Sequence, residues 1–506
     1  MASVSAIPAT ARPERSGLRF WMDRTLHKLA DLRHASENEV EDAVHDLRVA
    51  IRRCRSLAAA LQEVDPSKPW QDLRKQPRKL FRALGDWRDA QVLENWTETL
   101  LPSGDAARAR LAEILAERAS AARAQAMRAA RKFDAVEWKQ LERVVRRRAH
   151  MVPLDGPAAQ CLALERLEEA RRLQARALRS NRPAPWHRLR IGLKRFRYVV
   201  ESLMPGRYAA WEDDFKRLQD LLGDVHDLDT LGDLLRSQAE GVPEDSAANF
   251  REILERERRS RILSYRQLTV GRSSLWNTWR DAFPADVALH PLVGARLRAT
   301  ARALDPQPRR TALTSQLGLR LFFALSRLPA AQILRDAEAR RIFRACAQLL
   351  GVRPENSRKP AHKAARSLLT TLAAPPGWSP ADWEMVGWVI RFHRGRQPGP
   401  KQRRYAALPE QSRQVVETLA GILRLARTLR RCGVESLKGL RAEMSGGTIV
   451  LHVPGWTSSA DAESSLAKGK YSLERALRRP ILLAAPEESE AASPAVQEAE
   501  TLAVSA

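Results

Sequence analysis

The sequence predicts a mainly α-helical protein with two helical domains. Apolar residues recur at the three- and four-residue spacing of amphipathic helices through most of the chain. Leu, Ala and Arg dominate while Tyr is scarce, which favours helices over strands. Breaks marked by Pro and Gly separate the segments. One exception, LRAEMSGGTIVLHVPG, alternates around Gly446 and Gly447 and predicts a small β-hairpin in the C-terminal part.

One predicted helix, from His45 to Leu61, carries a row of cations along one side. At the α-helical rotation per residue, His45, Arg48, Arg52 and Arg55 fall within an arc of about 80°. The opposite side is apolar and consists of Leu47, Ala50, Ile51, Cys54, Leu57, Ala58 and Leu61. Like charges one turn apart destabilise a helix, and no acid relieves this row. The row therefore favours an anionic ligand over a merely solvated face.

The same pattern returns downstream in the stretch WHRLRIGLKRFRYVVESL. The second row consists of His187, Arg190, Lys194 and Arg197. Its apolar back consists of Leu189, Leu193, Phe196, Val200 and Leu203. Arg53 and Arg195 follow the third cation of each row and extend the match. Two copies of one spacing make a chance arrangement of surface charges a poor explanation.

The segments after the two cation helices also correspond. Each is a helix with a basic residue, Lys79 or Arg217, followed by Leu-Gly-Asp-x-x-Asp and then by a long charged helix. An internal duplication is the simplest account, with repeats at about 15–150 and 158–280 and about four helices in each. The last acids of the two motifs, Asp89 and Asp227, either orient a cation or a His from behind or form an ordinary helix-surface ion pair or cap.

With these motifs, residues 15–280 resemble the CHAD (conserved histidine α-helical domain) family. The first acidic segment departs from the second, because Ala90-Gln91 stands where the second has Leu228-Asp229. The resemblance implies a pseudo-twofold pair of four-helix bundles around a basic central cavity, with inorganic polyphosphate as the ligand. The implied polyphosphate-binding residues are His45, Arg48, Arg52, Arg53, Arg55, Lys79, His187, Arg190, Lys194, Arg195, Arg197 and Arg217.

A second domain is predicted at residues 296–483, after a linker at 281–295. It contains 34 Lys or Arg against 13 Asp or Glu, so it carries most of the formal net charge of +26. Such an excess predicts a polyanionic partner. The region resembles the C-terminal helical, HD-like domain of the exopolyphosphatase and guanosine pentaphosphate phosphohydrolase family. The matching phrases are RALDPQPRRTALTSQLGLRLFFAL, WVIRFHRGRQPGP, YAALPEQSRQVVETLAGILRLARTLRR and GGTIVLHV.

The second domain departs from that family at the positions of its metal site. An HD site needs His ligands and an Asp pair, but the His-Asp pair is missing around AQLLGV, and arginines stand near other expected ligand positions. The residues in question, which become candidates for phosphate binding, are Arg310, His362, His393, Arg427, Arg430 and Arg431. We therefore expect no metal, no cofactor and no catalytic residue here.

The remaining features of the sequence concern its two ends, membrane spans, its cysteines and the location of the protein. Residues 1–14 are expected to form a disordered leader, and the Glu-rich residues 484–506 a disordered acidic tail. No run reaches the roughly 20 apolar residues of a membrane span. The four cysteines are far apart, which favours reduced thiols over a zinc site or disulfides. A cytoplasmic location is expected, in association with polyphosphate granules and their proteins.

The sequence therefore predicts a non-catalytic binding protein for inorganic polyphosphate. Two other classes of function stay open. A metal-dependent phosphohydrolase of polyphosphate or an alarmone nucleotide would need the carboxylates that the second domain lacks. A non-specific nucleic-acid binder fits the charge, but the basic rows have no interleaved aromatic residues on which bases could stack.

Overall fold

The computed structural model describes residues 17–36, 39–238, 240–285, 288–355, 357–399, 402–436 and 438–485. The mainly α fold class with a small β-sheet is confirmed. The predicted leader, and the predicted tail beyond its first two residues, lie outside the described residues. No helix in the described ranges is long and apolar enough to cross a membrane.

The chain divides into two compact units. The first unit contains residues up to 304 together with 372–378, and the second contains 305–371 and the residues from 379 onward. The helices of the first unit are α1 (Leu18–His34), α2 (Val40–Gln62), α3 (Lys68–Lys75), α4 (Arg78–Leu100), α5 (Ala106–Arg131), α6 (Ala135–Ala149), α7 (Pro157–Ala177), α8 (Pro183–Leu203), α9 (Pro205–Gln238), α10 (Glu244–Thr269), α11 (Leu275–Asp281) and α12 (His290–Leu304).

The two halves of the first unit correspond helix by helix. In the first half α1 packs on α2 and α4 on α5, and in the second half α7 packs on α8 and α9 on α10. Equivalent helices also meet across the halves, since α2 packs on α8, α4 on α9 and α5 on α10. A local twofold axis produces this kind of pairing, because each surface meets its own equivalent. The structure thus has the paired bundles that the duplication predicts.

A shared core joins the halves where α4, α5, α9 and α10 meet. Leu111 and Leu115 of α5 are fully buried there, together with Leu231 of α9 and Phe250 of α10. Each buried side chain of this size contributes about 1.5–3 kcal/mol relative to an exposed one. Asp105 holds the start of α5, because its carboxylate accepts hydrogen bonds from the backbone N–H groups at the first turn.

The division between the units falls later in the chain than the linker predicted at 281–295. α12 belongs to the first unit and packs on α7. Arg296 of α12 is fully buried, and its Nε lies 2.9 Å from Oε1 of Glu165 on α7. A buried guanidinium needs such a partner, so this ion pair fixes α12 to the first unit. Residues 296–304 are therefore part of that unit and not of the second.

The second unit surrounds one long helix. Its elements are α13 (Pro308–Ser326), a 3₁₀ helix (Pro329–Arg335), α14 (Ala337–Leu349), α15 (Ala361–Leu369), α16 (Pro380–Phe392), α17 (Arg403–Ala406), α18 (Glu410–Arg431), β1 (Arg441–Ser445), β2 (Thr448–His452), α19 (Ala460–Leu477) and β3 (Ile481–Ala484). α18 packs against α13, α14, α16 and α19.

The predicted hairpin is present as β1 and β2, which pair antiparallel around Gly446 and Gly447. Both glycines have positive φ, the conformation that a tight hairpin turn requires. A third strand, β3, pairs in parallel with β2 through Ile449 and Ile481, and both of these side chains are buried. The hairpin is thereby extended into a three-stranded sheet.

Candidate functional site

The two cation rows of the first unit meet because α2 packs against α8. Arg52 of α2 donates a hydrogen bond from Nη1 to the phenolic oxygen of Tyr198 on α8, at 3.1 Å. The contact joins residues 146 positions apart and links the two halves directly. The rows therefore lie together and do not occupy opposite outer surfaces.

The first acidic motif orients a cation of the α2 row. Nη1 of Arg48 donates to the carbonyl oxygen of Gly85 at 3.0 Å and to Oδ1 of Asp89 at 3.2 Å. Asp89 itself is 68% exposed, so solvent weakens its attraction for the guanidinium. The contact is an ion pair between a cation of the α2 row and an exposed carboxylate of α4.

The pKa of Lys194 is affected by cations of both rows. Burial and, to a smaller extent, the charges of Arg190, Arg52 and Arg48 together lower this pKa to about 7. Asp227 acts in the opposite direction. Burial and repulsion by residues of both helices thus bring the titration of this ammonium group close to neutral pH. We call Arg48, Arg52, Arg190 and Lys194 the central cluster.

The central cluster has more hydrogen-bond donors than protein acceptors. The Nε atoms of Arg48, Arg52 and Arg190 are buried, and none has an acceptor in the described part of the chain. A buried donor without a partner costs about 1–3 kcal/mol. Burial also raises the pKa of Asp227 to about 6, although Arg190 opposes that shift. An anionic group bound here would supply both the missing acceptors and the missing negative charge.

A pair of histidines borders the central cluster. Nδ1 of His187 lies 3.2 Å from Nδ1 of His226, on α8 and α9 respectively. Burial lowers the pKa of both rings, that of His226 to about 4, and the charge of Arg190 acts in the same direction. Both are therefore neutral at pH 7. Sequence comparison of the halves does not reveal His226, because Arg88 occupies the matching position in the first half.

His45, which heads the first row, has a different environment from His187. It is exposed at the start of α2, whereas His187 is partly buried against His226. The two histidines of the motif are therefore equivalent in sequence but not in surroundings.

Several predicted site residues have protein partners instead of open donors. Arg53 pairs with Glu201 of α8, and its guanidinium lies 3.9 Å from the centre of the Trp21 ring. Arg195, at the equivalent position, pairs with Glu169 at 3.0 Å. Arg53 and Arg195 therefore hold helices together, and Arg53 does so across the two halves.

The last cations of the rows contact aromatic or polar side chains. The guanidinium of Arg55 lies 4.7 Å from the centre of the Phe81 ring. Arg197 donates to the phenolic oxygen of Tyr208 at 2.8 Å. Lys79 on α4 and Arg217 on α9 are exposed. These residues add positive charge around the central cluster, but no hydrogen bond within the described part of the chain places Lys79 or Arg217 in it.

The candidate residues of the second unit gather around the C-terminal half of α18. His393, Arg427 and Arg431 line a pocket of about 280 Å³. The pKa of Arg427 is lowered to about 10 by burial and by the charges of its neighbours, which include Arg310 and Arg430. Five of the six predicted residues are thus brought into one electropositive region.

His362 lies beside this region, with its ring centre 6.5 Å from that of His393. Burial lowers the pKa of His362 to about 4 and that of His393 to about 3. Nδ1 of His393 lies 2.6 Å from the carbonyl oxygen of Ile390, which fixes Nδ1 as the protonated nitrogen of the neutral ring. Within the described residues, no three His, Cys, Asp or Glu side chains are grouped so that they could hold a metal ion.

Comparison with known proteins identifies part of the first unit. Residues 22–236 match the family model of the CHAD domain. These residues form a CHAD domain. Among solved structures, the chain is similar to the crystal structure of the CHAD domain from the plant Ricinus communis, with 22% sequence identity and a TM-score of 0.37. That similarity covers 53% of this chain and 96% of the other. The comparison with curated proteins found no match.

Proposed function

We propose that the CHAD domain of this protein binds inorganic polyphosphate at the central cluster. CHAD domains in general are associated with polyphosphate binding. The observation that supports the proposal here is the environment of Lys194, whose pKa is lowered to about 7 by burial and by three arginines from both halves. Binding of an anion to such a site is electrostatically favourable, because it relieves the repulsion between the cations.

The chemistry of polyphosphate suits these side chains. The ligand is a flexible chain of repeating anions, and it offers no base edges for a protein to recognise. Guanidinium groups bind phosphate oxygens through two parallel hydrogen bonds, and charge-assisted bonds of this kind are stronger than neutral ones. Arg48, Arg52 and Arg190 each have a buried Nε without a protein acceptor, so each has a donor left for a phosphate oxygen.

Two substitutions on α8 test the proposal at matched charge. Arg190→Gln and Arg195→Gln each remove one positive charge, but Arg190 belongs to the central cluster and Arg195 pairs with Glu169 at the exposed surface. We expect Arg190→Gln to weaken polyphosphate binding by about tenfold or more. Arg195→Gln should weaken it less than about fivefold, as for a surface ion pair. Equal losses in the two variants would show that binding depends only on net charge.

The choice of ligand separates this proposal from nucleic-acid binding. Polyphosphate, duplex DNA and single-stranded RNA should be titrated against the protein at one salt concentration, since such affinities depend on salt. We expect polyphosphate to bind most tightly, because the central cluster offers cations without the stacked aromatic residues that single-stranded nucleic acids use. DNA or RNA binding that is tighter and is lost in Arg190→Gln would favour the alternative.

For the second unit we propose the same ligand class and no hydrolysis, as predicted from its excess of cations and its degenerate metal positions. The alternative is a metal-dependent phosphohydrolase. Arg310, Arg427, Arg430 and Arg431 would repel a metal ion. Release of orthophosphate from polyphosphate with Mg²⁺ or Mn²⁺, lost on His393→Ala, would establish the alternative. A cytoplasmic location with polyphosphate granules and their proteins is part of the same proposal.

A further inference from the structure

A second group of cations lies in the second unit, in the pocket between α18 and α19. On α18, Arg424, Arg427 and Arg431 recur at intervals of three and four residues, so they share one face of the helix. On α19, Ser465 and Lys468 share the facing side by the same spacing. Arg394, in the turn after α16, closes a third side.

The pocket is built into the packing of these helices. α18 and α19 approach closely at Gly469, where an added Cβ atom would lie 2.3 Å from Oγ1 of Thr428. Arg424 is fixed by hydrogen bonds from Nε to the carbonyl oxygen of Phe392 (2.6 Å) and from Nη2 to that of Gly395 (2.7 Å). The wall of the pocket is therefore positioned before any ligand arrives, which reduces the ordering cost of binding.

The charge of the pocket is not neutralised by the protein. Among the described residues that line it, none is Asp or Glu, and Arg394, Arg427, Arg431 and Lys468 form no ion pair. On the same two helices, Arg475 does pair with Glu417, at 3.2 Å. Acids are thus available in this part of the fold, but they are placed away from the pocket. Repulsion among these cations contributes to the lowered pKa of Arg427.

We infer that this pocket binds a short oligophosphate group of two or three phosphoryl units. Arg424, Arg427, Arg431 and Lys468 supply cations from two helices, and Thr428 and Ser465 supply hydroxyl donors. The volume, about 280 Å³, lies below the range of about 300–1,000 Å³ for drug-sized ligands. It therefore favours a compact anion, whereas the central cluster of the CHAD domain would bind a long chain along its length. The inference rests on the ligand class proposed for the second unit and does not depend on the proposal for the CHAD domain.

The same triphosphate chemistry occurs in inorganic tripolyphosphate and in nucleoside triphosphates. The test therefore uses calorimetric titration of the full chain with tripolyphosphate and, separately, with ATP. The pocket variant is Arg427→Gln with Arg431→Gln. The control is Arg340→Gln with Arg344→Gln, which removes the same charge from exposed positions on α14.

We expect the pocket variant to lose about 100-fold in affinity for tripolyphosphate, from two charge-assisted contacts of about tenfold each. The control should lose less than about fivefold. Tighter binding of tripolyphosphate than ATP identifies a free oligophosphate as ligand, and the reverse identifies a nucleotide. Equal affinities of the pocket variant, the control and the unchanged protein for both ligands would overturn the inference.

Two further measurements keep the result clear. If the double variant fails to fold, as judged by thermal unfolding, Lys468→Gln tests the opposite wall of the pocket and should lose about tenfold. Arg190→Gln changes only the CHAD domain. Adding it should therefore not alter the loss of affinity for tripolyphosphate that the pocket variant shows. A failure of the CHAD proposal would appear only with long polyphosphate, so the two outcomes are distinguishable.

Discussion

Lys194 should make polyphosphate binding depend on pH above neutrality. Its pKa in the free protein is about 7, against an ordinary value of 10.5, because of burial and of Arg190, Arg52 and Arg48. A bound polyanion raises this pKa, so above pH 7 the complex holds more protons than the free protein. Linkage then requires the affinity to fall as the pH rises.

The size of the effect follows from how much of the shift the ligand reverses. Each pKa unit that the ligand restores adds about 1.4 kcal/mol to binding below pH 7. A ligand that raises the pKa from about 7 to about 9 would bind about 25-fold more weakly at pH 9 than at pH 7. In the free protein, Asp227 and His226 titrate below this interval, with pKa values of about 6 and about 4.

The assay is calorimetric titration with polyphosphate at pH 7 and pH 9, in two buffers of different ionisation enthalpy to count protons. Lys194→Arg is the matched control, because arginine stays charged over the whole interval. The ligand's own protonation contributes equally to both proteins. We expect the dependence on pH to be weaker in Lys194→Arg by the factor given above. An unchanged dependence in that variant would refute the role of Lys194.

Three other predictions concern the charge and the packing of the site. The logarithm of the polyphosphate affinity should fall linearly with the logarithm of salt concentration, with a slope of several units; a flat titration between low and moderate salt would exclude the cation cluster as the binding site. Tyr198→Phe removes the hydrogen bond from Arg52 and should cost about 0.5–1.5 kcal/mol in urea unfolding, while leaving polyphosphate affinity within a few fold. Glu201→Gln leaves Arg53 without its charged partner and should destabilise the protein more, by about 3–5 kcal/mol, so that the order of the two unfolding midpoints checks the structure.

The helix patterns and the duplication were predictable from sequence alone. One-face periodicity depends only on residues within a few turns, so the rows on α2 and α8 and their apolar backs follow from spacing. The hairpin of β1 and β2 is likewise local, because Gly446 and Gly447 determine its turn. Both features are present in the structure.

What the sequence does not show is which distant residue covers a given face. Arg53 matches the motif as well as Arg52 does, yet Glu201 neutralises it from 148 positions away. The pairing of Arg296 with Glu165 places α12 in the first unit, although the Pro-marked break before it suggests a boundary. In the second unit, Ser465 and Lys468 join the pocket only because α19 packs on α18. Each of these contacts is made by tertiary packing.

The matched pairing of helices in the CHAD domain bears on the direction of a bound chain. Inorganic polyphosphate is the same molecule when it is traced from either end. A chain centred on a local twofold axis would therefore meet equivalent side chains in both directions, and both orientations would bind alike. The substitution of lysine for arginine between the equivalent positions Arg52 and Lys194 makes the two halves of the site unequal. At a pH high enough to deprotonate Lys194 in the complex, the half that contains α2 would hold the chain more firmly than the half that contains α8.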